Sequence, residues 1–324
     1  MTPELAIIIV NWNGGDFLRR CLESVNKFPP SVPFEMIVVD NASTDGTREW
    51  LQSHPDVRLI ANSENVGFGR ANNQAFAASD APLLFLLNND AEVHAGAFDK
   101  LLATIKEDGQ IGVVGPRLLN TDGTLQPSVW RNPLTSFEMI VTTLHLHKLL
   151  PRRWRGDLLL GFHWDHMQRR SVRMLSGAAL LVRRSVIDDV GGFDERFHMY
   201  GEDTEWALRI VRRGWSLIFE PAATVTHHGG RSAAQRWLDL DKREKEYEGF
   251  FRFQRLQLSR RQAITNLMTG YTLSLVRHAW KTLLRQPHAE SRLVCRLYRD
   301  ELRSYLFSEK PVAEVPPQIA KRPL

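Results

Sequence analysis

Within the stretch Leu83–Val93, an unbroken apolar run stops at three polar residues, Asn88, Asn89 and Asp90. A short apolar run without charges is typical of a strand that is buried on both faces, as in a parallel sheet. Open α/β sheets bind ligands beyond the carboxyl ends of their strands, so we expect these side chains to face a crevice. A carboxylate there could hold a divalent metal. The alternative is an ordinary turn, because Asn and Asp are common turn residues.

A second group of acids, Glu202, Asp203 and Glu205, lies at the predicted start of a helix. The helix dipole favours acids in the first turn, so Glu202 and Glu205 also have a simple structural explanation. Asp203 adjoins a loop that contains Tyr200. It could act as a general base if its carboxylate reaches the crevice.

The elements that would position these residues alternate between strand and helix. Leu5–Val10 is a β-branched run that predicts a central strand, and Phe17–Lys27 has the apolar spacing of a helix. Repetition of this pattern predicts a mostly parallel sheet with right-handed crossovers. Beyond a strand predicted over Ile111–Val114 and closed by Gly115-Pro116, long loops and one helix near Phe137–Leu150 are expected.

Further strands and helices are expected downstream. The sequence predicts a strand over Val172–Val182, a helix over Glu202–Arg213, strands near Leu217–Phe219 and Thr224–Thr226, and long helices over 235–258, 262–284 and 290–306. The last dozen residues are rich in proline and without periodicity, which indicates disorder.

Polar clusters follow the predicted strands, at residues 11–13, 40–47, 65–70, 88–90 and 227–230. If the strands are parallel, these clusters share one sheet edge, which is the geometry of a nucleotide site. Gly67-Phe68-Gly69 is not a dinucleotide fingerprint, because it lacks the third glycine and does not follow the first strand. A diphosphate would therefore be neutralised by a divalent metal on Asp90. Arg70 is either a second positive charge for it or a solvated surface arginine.

The charge of the chain is unevenly distributed. Its 324 residues carry 42 Lys and Arg against 37 Asp and Glu, a net charge of +5. From Arg231 onward there are 19 basic and 10 acidic residues, so this part carries 19−10 = +9 and the remainder carries 23−27 = −4. A basic, aromatic, helical region suggests an anionic membrane surface or a nucleic acid as partner, or simply a solvated helical face. We favour the membrane as a hypothesis.

Other features bound the cellular setting. Cys21 and Cys295 stand apart in apolar-periodic segments, which favours buried thiols in a reducing compartment. No segment approaches the ~20 apolar residues that span a bilayer, and the apolar run at the start is too short for a signal peptide. We expect a cytoplasmic protein, with peripheral contact at the cytoplasmic face of the inner membrane as a hypothesis.

Several motifs together resemble those of family 2 glycosyltransferases, in particular the rhamnosyltransferase-like members. They occur in the family's order at 39–47, 65–69, 88–90, 176–178, 191–195 and 202–203, and the resemblance covers roughly residues 4–232. It implies a GT-A fold, an inverting transfer of a sugar from a nucleotide-diphosphate donor, and a divalent metal, Mg²⁺ or Mn²⁺. Residues 1–232 would form the catalytic domain (1–115 the nucleotide half, 116–232 the acceptor half), followed by a helical region over 233–310 and a disordered tail over 311–324.

The resemblance also implies roles for individual residues. Asp40 would hydrogen-bond the pyrimidine base, Asp90 would bind the metal, and Asp203 would be the catalytic base. His227 would join the metal or diphosphate, with the adjacent His228 as the alternative ligand. The predicted nucleotide-sugar set is Asn11, Asn13, Asp40, Asn65, Arg70, Asn88, Asn89, Gly177 and Ala178, and the predicted acceptor-side set is Tyr200, Glu202 and Trp206.

One departure affects the metal: the first acid of the family's Asp-X-Asp motif is Asn88 here. Uracil and thymine share the edge that Asp40 would contact, so the sequence does not distinguish UDP from dTDP donors. The resemblance to rhamnosyltransferases favours dTDP-L-rhamnose. The expected acceptor is a glycan or a lipid-linked glycan of cell-surface polysaccharide synthesis. Two alternative hypotheses are considered. The first is a sugar-phosphate nucleotidyltransferase, which would require a basic, glycine-rich turn near the first strand. The second is an inactive scaffold that binds glycan or membrane. No nucleic acid partner is expected.

Overall fold

A computed structural model of the chain describes residues 2–130, 136–151, 154, 161, 164–229 and 239–307. The chain forms two compact units. The first comprises Met1–Asn132 with Gly156–Arg236, and the second comprises Pro133–Arg155 with Trp237–Leu324. The second unit therefore includes a segment from the middle of the chain as well as the C-terminal helices.

The elements of the first unit up to residue 130 are β1 (Leu5–Asn11), α1 (Gly15–Lys27), β2 (Phe34–Asp40), α2 (Thr47–Gln52), β3 (Val57–Ala61), α3 (Phe68–Ala78), β4 (Leu83–Asn88), β5 (Ala91–Val93), α4 (Ala97–Glu107), β6 (Ile111–Leu119), β7 (Leu125–Gln126) and β8 (Val129–Trp130). In the second unit, α5 (Ser136–Thr143) and a 3₁₀ turn (Leu146–Leu149) come next. The first unit resumes with β9 (Arg170–Val172), β10 (Met174–Leu175), β11 (Ala179–Arg183), α6 (Arg184–Val190), α7 (Glu202–Arg212) and β12 (Ser216–His227).

The central sheet has the strand order β3-β2-β1-β4-β11-β6-β12-β5. Six of these eight strands run in one direction, while β11 and β5 run against their neighbours. Asn11 lies opposite Asp40 and Val10 lies opposite Asn88, so the polar ends of β1, β2 and β4 meet at one edge. The predicted mixed α/β fold with a mostly parallel sheet is confirmed.

Both faces of the sheet are covered by helices. Alternate residues of β1 point to opposite faces: Ile7 and Ile9 pack with α1 and α4, whereas Ala6 and Ile8 pack with α3 and α7. This double burial explains why the strands are continuous apolar runs and not alternating ones.

Three strand predictions require correction. The predicted strand Val172–Val182 is three short strands, because a turn at 176–178 separates β10 from β11. The two strands predicted near residues 217 and 226 are one long β12, and β6 continues through Pro116 to Leu119. Pro116 is tolerated there because the register of β12 shifts between Glu220 and Thr224, immediately beside it.

The second unit is helical, as predicted. After α5 and the 3₁₀ turn it contains α8 (Asp239–Gln257), α9 (Arg260–Leu283) and α10 (Ala289–Phe307). Ser259 and Gln262 form a capping box at the start of α9. Gly270 lies beneath the ring of Tyr298, where an added Cβ would come within 2.3 Å of ring carbons, so close packing of α9 on α10 requires a glycine.

Some predictions fall partly or wholly outside the described residues. The start of the helix predicted over 235–258 and the tail at 311–324 are among them. Within the described ranges, no helix is both long and apolar enough to cross a bilayer. Cys21 is buried as expected, whereas Cys295 is only partly so.

Candidate active site

The polar ends of β1 and β2 are joined through the side chain of Asn11. Its Nδ2 lies 3.0 Å from Asp40 Oδ1 and 3.1 Å from the hydroxyl oxygens of Ser43 and Thr47. Its Oδ1 accepts a hydrogen bond of 2.9 Å from Asn89 Nδ2. Asn11 thus connects the polar ends of three adjacent strands below the surface.

Asp40 is fully buried, with 0% exposure. Besides Asn11, its carboxylate accepts hydrogen bonds from the backbone N–H of Ser43 at 3.1 Å and from Arg48 Nε at 3.0 Å, and Arg48 Nη2 lies 2.9 Å away. A buried carboxylate is stable only when paired in this way. The structure thus places Asp40 beneath the crevice, anchoring the loop that follows β2. A contact with a base would require one of these donors to be exchanged.

The turns after β1 and β2 are tied together by Asn13. Its Oδ1 accepts from Thr44 N at 2.7 Å, and its own N–H donates to Ser43 Oγ at 2.9 Å. Asn13 has a φ of 49°, a left-handed conformation that asparagine adopts more readily than most residues. The two loops therefore form one hydrogen-bonded rim at the sheet edge.

Gly14 is a site residue that the sequence analysis did not single out. A Cβ at this position would lie 2.3 Å from Asn11 Oδ1 and 2.7 Å from Asn89 Nδ2. The glycine therefore leaves room for the amide pair on which the sheet edge depends.

The end of β4 meets the end of β12 at a carboxylate and an imidazole. Asp90 Oδ1 lies 3.3 Å from His227 Nε2, and Asn88 Nδ2 lies 3.2 Å from the same nitrogen. Asp90 is 3% exposed, and the His227 side chain is 13% exposed. Asp90 and His227, both predicted to bind a metal, are thus brought together although 137 positions separate them in the sequence.

Gln126, on β7, determines how His227 presents its ring. His227 Nδ1 lies 2.7 Å from Gln126 Oε1. The orientation of the Gln126 amide is fixed because its Nε2 donates to Asn120 Oδ1 at 3.0 Å and to the backbone oxygen of His227 at 3.2 Å. Nδ1 must therefore carry the proton, and in the neutral ring Nε2 has a lone pair directed towards Asp90 and Asn88.

His228 points elsewhere. Its Nε2 lies 2.7 Å from Glu92 Oε1, and its Nδ1 lies 3.0 Å from Thr121 Oγ1. Sequence alone left open which of the two histidines accompanies Asp90. In the structure, His227 is beside the carboxylate and both nitrogens of His228 have other partners.

The start of α7 carries the candidate base. Asp203 Oδ1 accepts from the N–H of Thr204 at 2.7 Å, and its Oδ2 accepts from the N–H of Gly177 at 3.3 Å. Burial raises the pKa of Asp203, although both hydrogen bonds favour its charged form. A raised pKa makes a carboxylate a better proton acceptor than an ordinary surface aspartate.

Glu202 is buried beside Asp203, with 7% exposure. Burial, followed by the negative charge of Asp203, raises the pKa of Glu202 to about 8. Among the described residues, its Oε2 has no hydrogen-bond partner. Burial of the pair therefore favours the neutral form of Glu202.

The turn Ser176–Ala178 connects the two polar groups through its backbone. The N–H of Gly177 contacts Asp203, and the carbonyl of Ala178 accepts from the N–H of Asn88 at 2.9 Å. A Cβ on Gly177 would lie 3.4 Å from Asp203 Cβ, an ordinary contact distance, so the turn lies against the acid without requiring a glycine there. Asp203 and Asn88 are thus held on either side of one short turn.

The remaining predicted residues lie at varied depths. Asn65 caps its own turn by accepting from Gly67 N at 3.0 Å. Arg70 has an exposed side chain 3.7 Å from Glu195, a pairing worth little in solvent. Tyr200 is partly buried and has a left-handed backbone with φ of 67°.

Trp206 corrects an expectation. It is 1% exposed, its Nε1 donates to the backbone oxygen of Gly191 at 2.8 Å, and its ring packs on Phe193 and Phe76. Lying one helical turn after Asp203, it faces inward with Ile210, which is also buried. Trp206 is therefore a core residue and does not line an acceptor surface.

Comparison with known proteins gives a consistent result. Residues 6–191 match the sequence profile of "Glycosyl transferase family 2". An N-acetylglucosaminyl-diphospho-decaprenol L-rhamnosyltransferase of Mycobacterium tuberculosis is 32% identical over 250 residues, covering 72% of this chain and 79% of the relative. The O-antigen biosynthesis protein RfbC of Myxococcus xanthus is 30% identical over 238 residues, covering 72% of this chain and 18% of the relative.

Two solved structures are similar in fold. GalNAc-T7 with UDP, GalNAc and Mn²⁺ aligns with a TM-score of 0.55 at 15% identity, covering 95% of this chain and 56% of that one. The mannosyltransferase PcManGT of Pyrobaculum calidifontis, in complex with GDP-Man and Mn²⁺, aligns with a TM-score of 0.51 at 16% identity, covering 96% of this chain and 89% of that one. At these identities the likeness concerns the fold, and it confirms the predicted GT-A architecture.

Proposed function

Because the chain belongs to glycosyl transferase family 2, as its motifs indicated, and is a glycosyltransferase, we propose that it moves a sugar with inversion from a UDP or dTDP donor to an acceptor hydroxyl. One observation carries this proposal. Asp203, a carboxylate with a raised pKa, accepts a hydrogen bond from Gly177 of the Ser176–Ala178 turn. Asn88 donates its N–H to Ala178 of the same turn, and its side chain contacts His227 of the Asp90–His227 pair. A base and a site for the leaving diphosphate are what an inverting displacement needs.

In the proposed reaction, Asp203 accepts the proton of the acceptor hydroxyl as that oxygen forms a bond to the anomeric carbon of the sugar. The bond from the anomeric carbon to the diphosphate oxygen breaks, and the nucleoside diphosphate leaves with the electron pair. The two oxygens lie on opposite sides of the anomeric carbon, so the configuration inverts. No enzyme nucleophile takes part, and Asp203 returns its proton to solvent.

The residues at the end of β4 fit a divalent cation. Ligand atoms that share one cation at about 2.1–2.2 Å lie roughly 3 Å apart, and Asp90 Oδ1 and His227 Nε2 are 3.3 Å apart. Within the part of the chain that is described, no group of three or more acidic, His or Cys side chains could hold a metal. The remaining positions would therefore be filled by water and by donor phosphate oxygens, and Mg²⁺ or Mn²⁺ bound there would offset the charge of the leaving diphosphate.

For the substrates we propose a deoxyhexose donor and a lipid-linked acceptor. The support is the relative of Mycobacterium tuberculosis, whose name specifies an L-rhamnosyl transfer to N-acetylglucosaminyl-diphospho-decaprenol. dTDP-L-rhamnose is accordingly the first donor to test, and the product would belong to cell-surface polysaccharide synthesis. A lipid-linked acceptor implies work at the cytoplasmic face of the inner membrane.

The test is a turnover assay. Purified protein is incubated with a panel of UDP-, dTDP- and GDP-sugars and a polyprenyl-diphosphate N-acetylglucosamine acceptor, with Mg²⁺, Mn²⁺ or EDTA. We expect transfer with one pyrimidine donor and loss of transfer in EDTA. Asp203→Asn should reduce turnover by about three orders of magnitude or more while donor affinity, measured by calorimetry, stays within about twofold.

Three results would contradict this assignment. Undiminished activity of Asp203→Asn would mean that the base is another residue. Release of inorganic pyrophosphate from a nucleoside triphosphate would indicate a nucleotidyltransferase. Binding of glycan with no turnover on any donor would indicate a scaffold.

A further inference from the structure

Helix α9 of the second unit has two apolar faces, and only one is buried. Ala263 and Leu267 are fully buried, and Gly270 packs beneath Tyr298. The opposite face exposes five large apolar side chains by between 44% and 74%: Met268, Leu275, Val276, Trp280 and Leu283. At 100° per residue these five fall within an arc of about 140°, centred opposite the buried face. This set, with its intervening Thr272 and Ala279, is termed the outer stripe.

The outer stripe contains no charged residue over four turns of helix. An exposed apolar stripe of this length is uncommon on a surface that only water contacts, and it marks an interaction site. The same unit presents a shorter second stripe on α5 and the turn after it, where Phe137, Ile140 and Leu144 are exposed by 59%, 37% and 48%. Helix α5 is fixed to α9, because Ser136 donates to Asn266 Oδ1 from its N–H at 3.0 Å and from its hydroxyl at 2.5 Å.

The charges of α9 and of the residues just beyond it have one sign. Arg260, Arg261, Arg277, Lys281 and Arg285 lie in or just beyond α9, and no acidic residue occurs from Arg260 to Ala289. Each cation near an anionic leaflet adds to the attraction between protein and membrane. Trp280 adds a side chain that is favoured at the boundary between headgroups and acyl chains. Charge and apolarity together match the surface of an anionic bilayer.

Other occupants match less well. Two copies packed through their outer stripes would bring two sets of cations together, and like charges across an interface are unfavourable. A nucleic acid would contact the cations but gain nothing from an uncharged apolar centre, since its affinity comes mainly from phosphate contacts. Spanning a bilayer is not open to α9, because none of the described helices is long and apolar enough.

We propose that the outer stripe, together with the exposed arginines Arg260, Arg261 and Arg277 of α9, is a membrane-contact surface that lies in the headgroup region of an anionic phospholipid leaflet. The apolar side chains enter the leaflet to the depth of one helix face while the cations contact lipid phosphates. The second stripe on α5 enlarges the surface available to the same unit. The further link to a lipid-linked acceptor rests on the proposed function, whereas the lipid contact does not.

Flotation of the full chain on vesicles tests the surface. The vesicles are phosphatidylcholine alone or phosphatidylcholine mixed with phosphatidylglycerol, at low and high salt. We expect the protein to float with the anionic vesicles and to be released by salt. The triple variant Leu275→Ser/Trp280→Ser/Leu283→Ser should lower the partition coefficient by about tenfold or more. A triple charge variant, Arg260→Gln/Arg261→Gln/Arg277→Gln, should abolish the preference for anionic lipid.

A matched control replaces exposed apolar residues away from the outer stripe. Met167→Ser/Leu240→Ser removes side chains that are 60% and 43% exposed and should leave flotation unchanged. Circular dichroism and thermal melting must show that all variants are folded. If the stripe variant floats like the wild type, the proposal is wrong. If light scattering shows that the wild type is a dimer and the stripe variant is a monomer, the surface is a self-association interface and the proposal is also wrong.

The assay separates failure of this surface from failure of the proposed function. With a short-chain acceptor that is soluble in water, the stripe variant should turn over at the wild-type rate. With the same acceptor headgroup on a long polyprenyl chain in anionic vesicles, its rate should fall in proportion to its partition. Flotation without any transfer would refute the function and leave the surface standing, and transfer without flotation would do the reverse.

Discussion

Glu202→Gln should stabilise the protein in alkaline solution and not in acid. The Glu202 carboxyl has a pKa of about 8 in the folded chain against an ordinary value of 4.5. Between these two pH values the folded state binds a proton that the unfolded state releases, so the stability that this group contributes falls as pH rises through the window. The glutamine is close in shape to the neutral acid and has no proton to lose.

The size of the effect follows from the width of the window. A shift from 4.5 to about 8, at about 1.4 kcal/mol per pH unit, corresponds to about 5 kcal/mol in total. A pH of about 6 already lies inside the window, so the part between about pH 6 and about pH 9 is about 2–3 kcal/mol. The variant should therefore be more stable than the wild type, and the difference in their free energies of unfolding should be about 2–3 kcal/mol larger at about pH 9 than at about pH 6.

Urea unfolding, followed by tryptophan fluorescence at a series of pH values, measures the difference. Trp206 is a suitable probe because it is buried in the same helix. Glu205→Gln is the matched control: Glu205 is 1% exposed and paired with Arg209 at 2.7 Å, so its replacement should destabilise the protein because it breaks a buried ion pair. A Glu202→Gln difference that is constant from about pH 6 to about pH 9 would refute the account of Glu202 as a buried neutral acid.

Two further predictions concern the sheet edge. Gln126→Leu removes the acceptor that fixes the His227 ring, so the affinity for Mn²⁺ should fall about 10- to 100-fold. Electron paramagnetic resonance with the nucleoside diphosphate present measures this affinity. An unchanged affinity would mean that His227 is not a ligand. Gly14→Ala places a methyl group within 2.7 Å of the Asn11 and Asn89 amides. It should cost about 1–3 kcal/mol of stability and weaken donor binding in calorimetry, whereas a variant that melts and binds like the wild type would show that the amide pair can move freely.

The sequence was sufficient to place the ends of β1, β2 and β4, because each of these buried strands stops at a polar residue. Leu83–Asn88 illustrates this: six residues without a charge predict a doubly covered strand, and the polar residues after it predict the sheet edge. The metal candidate Asp90 followed from its position just beyond such an end, whereas the base candidate Asp203 followed from its place at the start of a helix. Side-chain direction within α7 was misassigned, because Trp206 was placed on the acceptor side although its four-residue spacing from Ile210 marks the inner face of the helix.

What could not be read from the sequence depends on contacts between distant segments. Gln126 and His227 are 101 residues apart and meet only because β7 and β12 flank β6. Nothing in the local sequence around a single glutamine marks it as the partner of a histidine. The burial of Asp40 was equally hidden, because its main cation, Arg48, belongs to the next helix and could as well have faced solvent.

The antiparallel strand β11 has a consequence for how the first unit folds. It is inserted between β4 and β6, although some sixty residues separate its start from the end of β6 (179−119 = 60). Until that long loop closes, β4 and β6 each present an unpaired edge, which is a hazard for association between chains. Closing such a loop is entropically costly and slow. A fragment that ends at residue 115 would therefore carry most of the polar sheet edge yet lack the strand that seals it, and we expect it to aggregate when expressed alone.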